Sequence, residues 1–299
     1  MSAVESFWDT ENSEAYEFYD HLRESGGVTW DSAMNCWLVT SHKFGREVLM
    51  DDELYIHPYT TMKAGETYLK IRSDNPRSFH FLKGEKHRAF HRWWLKDLLS
   101  PKWVDTYRPT IVHPVIDDLL DRLSNRSRFD IVDDYAERIP IGIFATLLGL
   151  PDLSDETLFE IKRLNDEIAA FASIANSLRL EDGISAQDQA ISNQAVAASQ
   201  RLNEILTPLV ESRRSGEGTD FVSRLWAGGR NIFDDWNEVD TLDASRRLLF
   251  AGVDTTTHAV ANAFHMLLTA PDLMEKIRGG EPAVLERFAE EVLRMHGSV

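Results

Sequence analysis

The chain has 299 residues, of which 43% are hydrophobic and 27% charged, as expected of a globular protein with room for a sizeable core. Its 49 acidic and 32 basic residues give a formal net charge of −17. This balance argues against nucleic-acid binding, because such binding needs a basic surface. The only cysteine, Cys36, excludes an internal disulfide bond and a zinc site built on paired cysteines.

The sequence predicts a cytoplasmic protein that neither enters the secretory pathway nor spans a membrane. Its first residues lack the charged and then apolar stretches of a secretory signal. The longest apolar run, 248–270, has the length of a membrane span, but it contains Asp254, His258 and His265, which are costly to place in lipid. We therefore expect this run to be a buried helix.

The first part of the chain is predicted to hold short elements followed by an irregular stretch. A helix over 14–24 ends at two glycines and precedes two β-type runs, 28–30 and 36–40, which are expected to pair as a hairpin. Ser41 is placed to cap the short helix that follows. Residues 51–82 have few periodic apolar positions and are predicted to be irregular, and such a stretch is often functional.

From residue 85 onward the pattern is almost wholly helical. Helices are predicted over 85–99, 102–124, 130–148, 193–213, 219–226, 242–270 and 282–296, and a further one opens near Ser154. Residues 166–200 are rich in Ala, Ser, Asn and Gln, so we expect weakly packed helices or a mobile loop there. No linker or repeat divides the chain. The predicted fold class is mainly α, as one domain with a small β element near its start.

The most informative segment is 251–257 (AGVDTTT), in the middle of the predicted central helix. Glycine there costs about 1 kcal/mol of helix stability, and consecutive β-branched threonines lower the helix propensity further. Asp254 also has apolar neighbours, among which an ionised carboxylate is costly unless it is paired or has a function. Several unfavourable residues concentrated in one helix segment indicate a functional site, here an active site built on Asp254 and Thr255. The alternative is an exposed helix face with Asp254 in water.

A second candidate site is the basic stretch 83–96, which holds five Lys or Arg residues and two His residues in an otherwise acidic chain. His87 and His91 are four residues apart and therefore share a helix face. Three interpretations stay open. The pair could belong to a zinc site, although no third ligand is evident, to a face that binds a carboxylate or phosphate, or to a solvated basic helix.

A third feature is the spacing of Glu291 and Arg294, which can form one buried or half-buried ion pair on the predicted helix 282–296. Alone this spacing says little, since such pairs are common on solvated helices. The sequence contains no phosphate-binding glycine loop, nucleophile elbow or dinucleotide fingerprint.

Taken in chain order, these segments resemble a cytochrome P-450 of the soluble bacterial type. Residues 251–256 (AGVDTT) are similar to the family's oxygen-binding motif in its long central helix, and 291–294 stands where the family has its E-x-x-R helix. Residues 84–88 (GEKHR) resemble the start of the helix that holds the haem propionates. The resemblance covers the whole chain in the right order and implies the cytochrome P-450 fold.

Two departures from the family pattern stand out. Four residues after His87, where the family usually has its second propionate partner, stands His91 with Arg92 beside it, and either could serve. The family's haem iron is held by a cysteine thiolate in a loop downstream of the E-x-x-R helix. The sequence lacks that loop, and Cys36 lies in the predicted hairpin. We therefore expect residues 1–299 to form a single incomplete cytochrome P-450 domain without the iron ligand.

The resemblance implies a haem b monooxygenase that inserts one atom of dioxygen into a small organic substrate. Electrons would come from NAD(P)H through a ferredoxin or flavodoxin. Ala251 and Gly252 would leave room for dioxygen beside the haem, Thr255 would hydrogen-bond the oxygen, and Asp254 would relay protons.

The remaining site residues have binding or structural roles under the same resemblance. His87, with His91 or Arg92, would neutralise the haem propionates, and Glu291 with Arg294 would form a structural ion pair. Residues 56–82 and 166–195 would cover the substrate.

Two alternatives stay open. One is a truncated paralogue without thiolate-bound haem that acts as a binding or interaction protein, and the other is a helical protein with a metal site at His87 and His91. We also expect the isolated chain to be unstable or prone to aggregation, because apolar surface on the haem side of the central helix would be uncovered.

Overall fold

Helices form most of the protein, and the described sheet has two strands. A computed structural model describes residues 15–32, 36–56, 63–79, 81–174 and 185–296. Its elements are α1 (Ala15–Glu24), β1 (Val28–Asp31), β2 (Cys36–Val39), α2 (His42–Met50), α3 (Lys63–Ile71), α4 (Gly84–Trp93), α5 (Pro101–Tyr107), α6 (His113–Ser124), α7 (Arg138–Leu148), α8 (Asp155–Ile174), α9 (Ala186–Ser212), α10 (Phe221–Ile232), α11 (Glu238–Thr269), α12 (Pro271–Arg278) and α13 (Pro282–Met295). The predicted mainly α fold with a small β element is confirmed.

The predicted hairpin and the helix after it are both present. Strands β1 and β2 pair antiparallel, and the rings of Trp30 and Trp37 meet edge to face with centroids 5.4 Å apart. The Ser41 hydroxyl accepts a hydrogen bond from the Phe44 N–H at 3.2 Å, which satisfies one of the free donors at the start of α2.

The prediction that 51–82 is irregular is wrong, because α3 lies within it. Tyr68 and Ile71, three residues apart, are the buried face of this helix, at 6% and 2% exposure. Two apolar positions are too few to give a periodic pattern, so the helix depends on the core that it packs against. Residues 57–62 and residue 80 of the predicted stretch lie outside the described residues.

The three helices predicted between residues 85 and 148 are present, but each is interrupted or preceded by a π-helical turn. The turns are Trp94–Leu98, Arg108–Val112 and Val132–Ala136. Pro109 and Pro114 lack a backbone N–H, so the regular α-helical ladder cannot continue unchanged through the second turn. The predicted end of α7 is confirmed, since Gly149 adopts the left-handed conformation at φ 86°.

The expectation of weak packing over 166–200 is wrong for the part that the structure describes. Helices α8 and α9 pack against each other, and the small residues Ala195, Ala198 and Ser199 of α9 are buried at 0%, 2% and 1% exposure. Small side chains let the two helices approach closely, and Ile161 and Leu164 of α8 are buried in the same core. Residues 175–184 lie outside the described residues.

Helix α10 extends beyond its predicted end at residue 226, through Gly228 and Gly229. A side-chain carbon on Gly228 would lie 2.0 Å from the Trp93 ring, and one on Gly229 would lie 2.2 Å from the Trp236 ring. The glycines therefore serve close ring packing on the helix rather than its termination.

Helix α11 is the central element and begins four residues earlier than predicted. The Asn237 side chain accepts a hydrogen bond from the Val239 N–H at 2.9 Å, and the Asp240 carboxylate accepts one from the Asn237 N–H at 3.0 Å. This reciprocal cap fixes the start of the helix. Helix α12, which was not predicted, follows α11 directly. Among the described residues, we find no helix with both the length and the apolar character that crossing a lipid bilayer requires.

Candidate active site

Asp254 lies in the middle of α11 and faces α8. Its side chain is 25% exposed, and its Oδ1 atom lies 3.5 Å from the Nζ atom of Lys162, whose side chain is 12% exposed. Burial raises the pKa of Asp254, and the nearby charge of Asp166 adds to this, whereas Lys162 acts in the opposite direction. The interpretation of Asp254 as a solvated residue on an exposed face is therefore wrong.

Lys162 connects Asp254 to two further carboxylates. Its Nζ atom lies 2.6 Å from the Asp166 carboxylate and 3.6 Å from that of Glu137. Burial alone would lower the pKa of Lys162, but the hydrogen bond to Asp166 and the surrounding negative charges raise it overall. Since the Asp166 side chain is 50% exposed, this chain of charged groups leads from solvent to Asp254.

Thr255 lies next to Asp254 and uses its hydroxyl hydrogen within its own helix. The hydroxyl donates to the Ala251 carbonyl at 2.7 Å, as threonines inside helices commonly do. Its oxygen lone pairs stay available to accept a hydrogen bond. Ala251 is exposed, so the surface beside Thr255 is small and apolar.

Gly252 is explained in part by packing. A side-chain carbon there would lie 2.1 Å from the Phe144 ring of α7, so only glycine allows α7 and α11 to approach this closely. The presence of a glycine inside this helix therefore has a structural reason besides its predicted role at dioxygen.

The two histidines of the basic stretch lie side by side on α4. The His87 and His91 rings are nearly parallel, at 9°, with centroids 5.8 Å apart, and both contact the ring of Phe79. The guanidinium of Arg247, a residue of α11, lies over the Phe79 ring at 5.2 Å from its centroid. Phe79 therefore links α4 to the central helix.

Burial and the neighbouring His91 lower the pKa of His87, although Asp52 acts in the opposite direction. His91 and Arg92 are exposed on the same helix. Among the described residues, no group of three or more His, Cys, Asp or Glu side chains is placed to hold a metal ion, so no third ligand joins the two histidines there.

Glu291 and Arg294 form the predicted ion pair on α13. Two hydrogen bonds of 2.7 Å and 2.6 Å join the guanidinium to the carboxylate. The side chains are 49% and 65% exposed, so the pair is neither buried nor half-buried within the described structure. Exposed pairs of this kind contribute little to stability.

Sequence reasoning missed Lys162 and a cluster of arginines on the amino-terminal side of Asp254. Lys162 is a lysine on a long helix, and nothing in the local sequence distinguishes it. The consecutive Arg246 and Arg247, inside the apolar start of α11, were an available indication. Arg246 is 3% exposed, which is unusual for arginine and suggests a function.

The protein has a mainly helical fold built around one long helix, α11. This helix carries a half-buried acid, Asp254, and an alcohol, Thr255, next to the small residues Ala251 and Gly252. The family profile described as Cytochrome P-450 matches residues 11–294. The chain therefore belongs to the cytochrome P-450 family.

Curated relatives and solved structures agree with this assignment. The chain is 30% identical to cytochrome P-450-SU2 of Streptomyces griseolus, over 89% of this chain and 59% of that protein. It is 25% identical to the cytochrome P-450 monooxygenase PikC of Streptomyces venezuelae, over 96% of this chain and 64% of that protein. The structure of epothilone B-bound cytochrome P-450epoK is similar in fold, with a TM-score of 0.73 at 22% identity, over 92% of this chain and 66% of that one. The chain thus spans about 60% of the length of these two curated relatives.

Proposed function

We propose that the protein is a cytoplasmic haem-thiolate monooxygenase that inserts one atom of dioxygen into a small organic substrate. Electrons come from NAD(P)H through a ferredoxin or flavodoxin. The observation that carries this proposal is the half-buried Asp254, with its raised pKa, beside Thr255 on the central helix and in ionic contact with Lys162. Family membership supplies the reaction class.

The described residues fit a haem on two of its sides. His91 and Arg92 are exposed on α4 and offer hydrogen-bond donors to anionic propionates, and the partly buried His87 lies beside them. Ala251 offers a small apolar surface next to the Thr255 hydroxyl. His87 with His91 or Arg92 would hold the propionates, and Ala251 and Gly252 would line the oxygen side. A haem bound there would supply the activation of dioxygen.

The remaining chemistry is the delivery of two protons. Oxidation of a C–H bond by dioxygen consumes two electrons and two protons, and it yields an alcohol and water. Asp254 can hold a proton because burial raises its pKa, and Lys162 connects it to the exposed Asp166. Thr255 follows Asp254 in α11 and has oxygen lone pairs free to accept a hydrogen bond, so its hydroxyl would take part in passing that proton to the reacting oxygen.

We further propose that residues 1–299 belong to one cytochrome P-450 domain whose thiolate ligand lies outside them. Cys36, the only cysteine of the sequence, is in β2 and pairs with Asp31 of β1. The relatives are longer than this chain, which supports a ligand loop beyond it.

The electron donor is proposed to bind at the basic stretch 83–96, which contains α4. Lys83, Arg88 and Lys96, exposed basic residues there that are not assigned to the propionates, stand out in a chain with a net charge of −17. A local basic surface on an acidic protein attracts an acidic partner, and ferredoxins and flavodoxins are acidic.

The test uses the complete gene product, with any residues that follow Val299. After reduction and treatment with carbon monoxide, we expect the absorption band of thiolate-ligated haem, unchanged in Cys36→Ser. The chain of 299 residues alone should lack the band. Loss of the band in Cys36→Ser, or its absence from the complete product, would overturn the proposal.

A matched pair of variants tests the proton delivery. Thr255→Val removes the hydroxyl with little change of shape, and we expect it to lower product formation about a hundredfold, at the low end of general-acid effects, while electrons are diverted to hydrogen peroxide. Thr256→Val is the control. Equal effects of the two substitutions would contradict the assigned role of Thr255.

A further inference from the structure

Two arginines lie buried around one aspartate on the amino-terminal side of the proposed proton-delivery pair. Arg72 follows α3, and Arg246 lies in α11, with side chains 4% and 3% exposed. Their guanidinium nitrogens lie 3.8 Å and 3.6 Å from the same Oδ1 atom of Asp243. Both distances exceed those of hydrogen bonds, so the aspartate attracts the two cations without pairing closely with either.

A third guanidinium adds to the positive charge. Arg247 is partly buried and donates a hydrogen bond to the Ser78 hydroxyl at 3.0 Å. Burial lowers the pKa of both Arg246 and Arg247 to about 10, still high enough for both to be charged at neutral pH. We call Arg72, Asp243, Arg246 and Arg247 the arginine cluster. Among the described residues it holds three positive charges and one negative charge, an imbalance that is costly in a protein interior.

The arginine cluster also has unused hydrogen-bonding capacity. The Nη1 atom of Arg246 donates to Ser199 on α9, but its Nε and Nη2 atoms have no hydrogen-bond partner among the described residues. The Nδ2 and Oδ1 atoms of Asn165, a residue of α8 that is only 1% exposed, also have no hydrogen-bond partner among the described residues. Buried polar groups without partners are rare in native proteins, so each needs an explanation.

Two adjoining cavities lie at this place. The smaller, about 10 Å³, is lined by Asn165, Arg246 and Arg72 together with apolar residues. The larger, about 190 Å³, is lined by Arg72 and otherwise by aromatic and aliphatic side chains, among them Phe171 and Phe250. Arg72 and Phe250 are among the residues that line both cavities, so the small cavity with the unpaired donors adjoins the larger apolar one.

We propose that the arginine cluster binds the carboxylate of an otherwise apolar organic acid, which is the substrate class of the monooxygenase. This inference rests on the proposed function and specifies its substrate. The carboxylate lies against Arg72, where the two cavities meet, and its apolar part occupies the larger cavity beside Phe250. A carboxylate matches the planar guanidinium donors and offsets part of the surplus positive charge.

The position of Arg246 on α11 sets the length of the acid. Arg246 precedes Asp254 by eight residues, a separation of about 12 Å along a helix axis. The carbon that reacts near Asp254 and Thr255 is therefore remote from the carboxylate. An acid of medium chain length, such as decanoate, spans this separation.

The test is calorimetric titration of the complete gene product with decanoate and with decanamide, its uncharged analogue. We expect decanoate to bind at least about tenfold more tightly, since hydrogen bonds to charged groups are the stronger ones. Arg72→Gln should remove this difference by weakening decanoate binding alone, and Arg72→Lys should restore part of it. Arg201→Gln, which removes an exposed arginine of α9, is the control and should change neither affinity.

Three results would overturn the proposal: equal affinity for acid and amide, a loss for Arg201→Gln as large as that for Arg72→Gln, or parallel losses for both ligands in Arg72→Gln. If Arg72→Gln does not fold, Arg72→Lys and Arg247→Gln make the same comparison. The titration needs no oxygen or electron donor. Binding of decanoate without the thiolate band would refute the proposed function alone, and the band without preference for the acid would refute the arginine cluster's role alone.

Discussion

The two halves of α11 have the same backbone but opposite surroundings. From Glu238 to Val253 most side chains are buried, including Leu248 and Leu249. From Asp254 to Thr269, a stretch that is fully described, Thr257 is the one buried residue, and Leu268 is 64% exposed. Core packing therefore surrounds the first half of the helix and leaves the second half open.

The polar groups of the two halves of α11 also differ in their surroundings. In the buried half, arginines and an aspartate are enclosed among apolar helices and retain unused donors. In the open half, Asp254 and Thr255 stand at the border, each with a partner and each accessible from one side. We therefore propose ligand binding on the buried side of this border and proton delivery at its edge.

Truncating one leucine in each half of α11 should reveal the largest difference in stability between the two halves. Leu249→Ala removes a side chain that is 0% exposed, and we expect it to lower the free energy of unfolding by about 2–5 kcal/mol. Leu268→Ala removes one that is 64% exposed and should cost less than about 0.5 kcal/mol. Urea unfolding of both variants measures this. Similar costs would mean that the second half of α11 is covered.

The junction between the halves is tested at Gly252. Gly252→Ala would place a carbon 2.1 Å from the Phe144 ring, so we expect a loss of about 1–3 kcal/mol, although alanine is the better helix former. Gly45→Ala on α2, where the added carbon meets nothing within 4 Å, should stabilise by up to about 1 kcal/mol. Addition of Phe144→Leu should restore part of the loss, and a stabilising Gly252→Ala would contradict the close packing.

The smallest expected effect concerns the charge of Asp254. Burial raises its pKa in the folded state, so the folded protein binds this proton more tightly than the unfolded chain. As the pH rises from the unfolded-state pKa through the raised pKa, the wild type should lose stability relative to Asp254→Asn. Unfolding at a series of pH values checks this difference.

Glu291→Gln is the control with the opposite sign. The hydrogen bond from Arg294 lowers the pKa of Glu291, so its ionised form favours the folded state. The wild type should therefore gain stability relative to this variant as the pH rises from the lowered pKa through the unfolded-state value. The same sign for both variants would contradict the raised pKa of Asp254.

Much of the local structure followed from the sequence, because caps and periodicity are local properties. Ser41 caps α2 as predicted, and Gly149 ends α7 as predicted. The wrong predictions concern elements whose structure depends on tertiary packing. Helix α3 exists because Tyr68 and Ile71 meet a core, and the glycines of α10 continue a helix because Trp93 and Trp236 lie on them. No local pattern contains those partners.

The family and the candidate pair Asp254 and Thr255 could be predicted from the sequence, because the spacing within one helix and the order of motifs along the chain are one-dimensional. Only the tertiary structure brought Lys162 to Asp254 and placed Arg72 beside Arg246 at a cavity. These residues are far apart in the chain, and their electrostatic coupling depends on distance and burial. Both quantities arise only when helices from different parts of the sequence pack together.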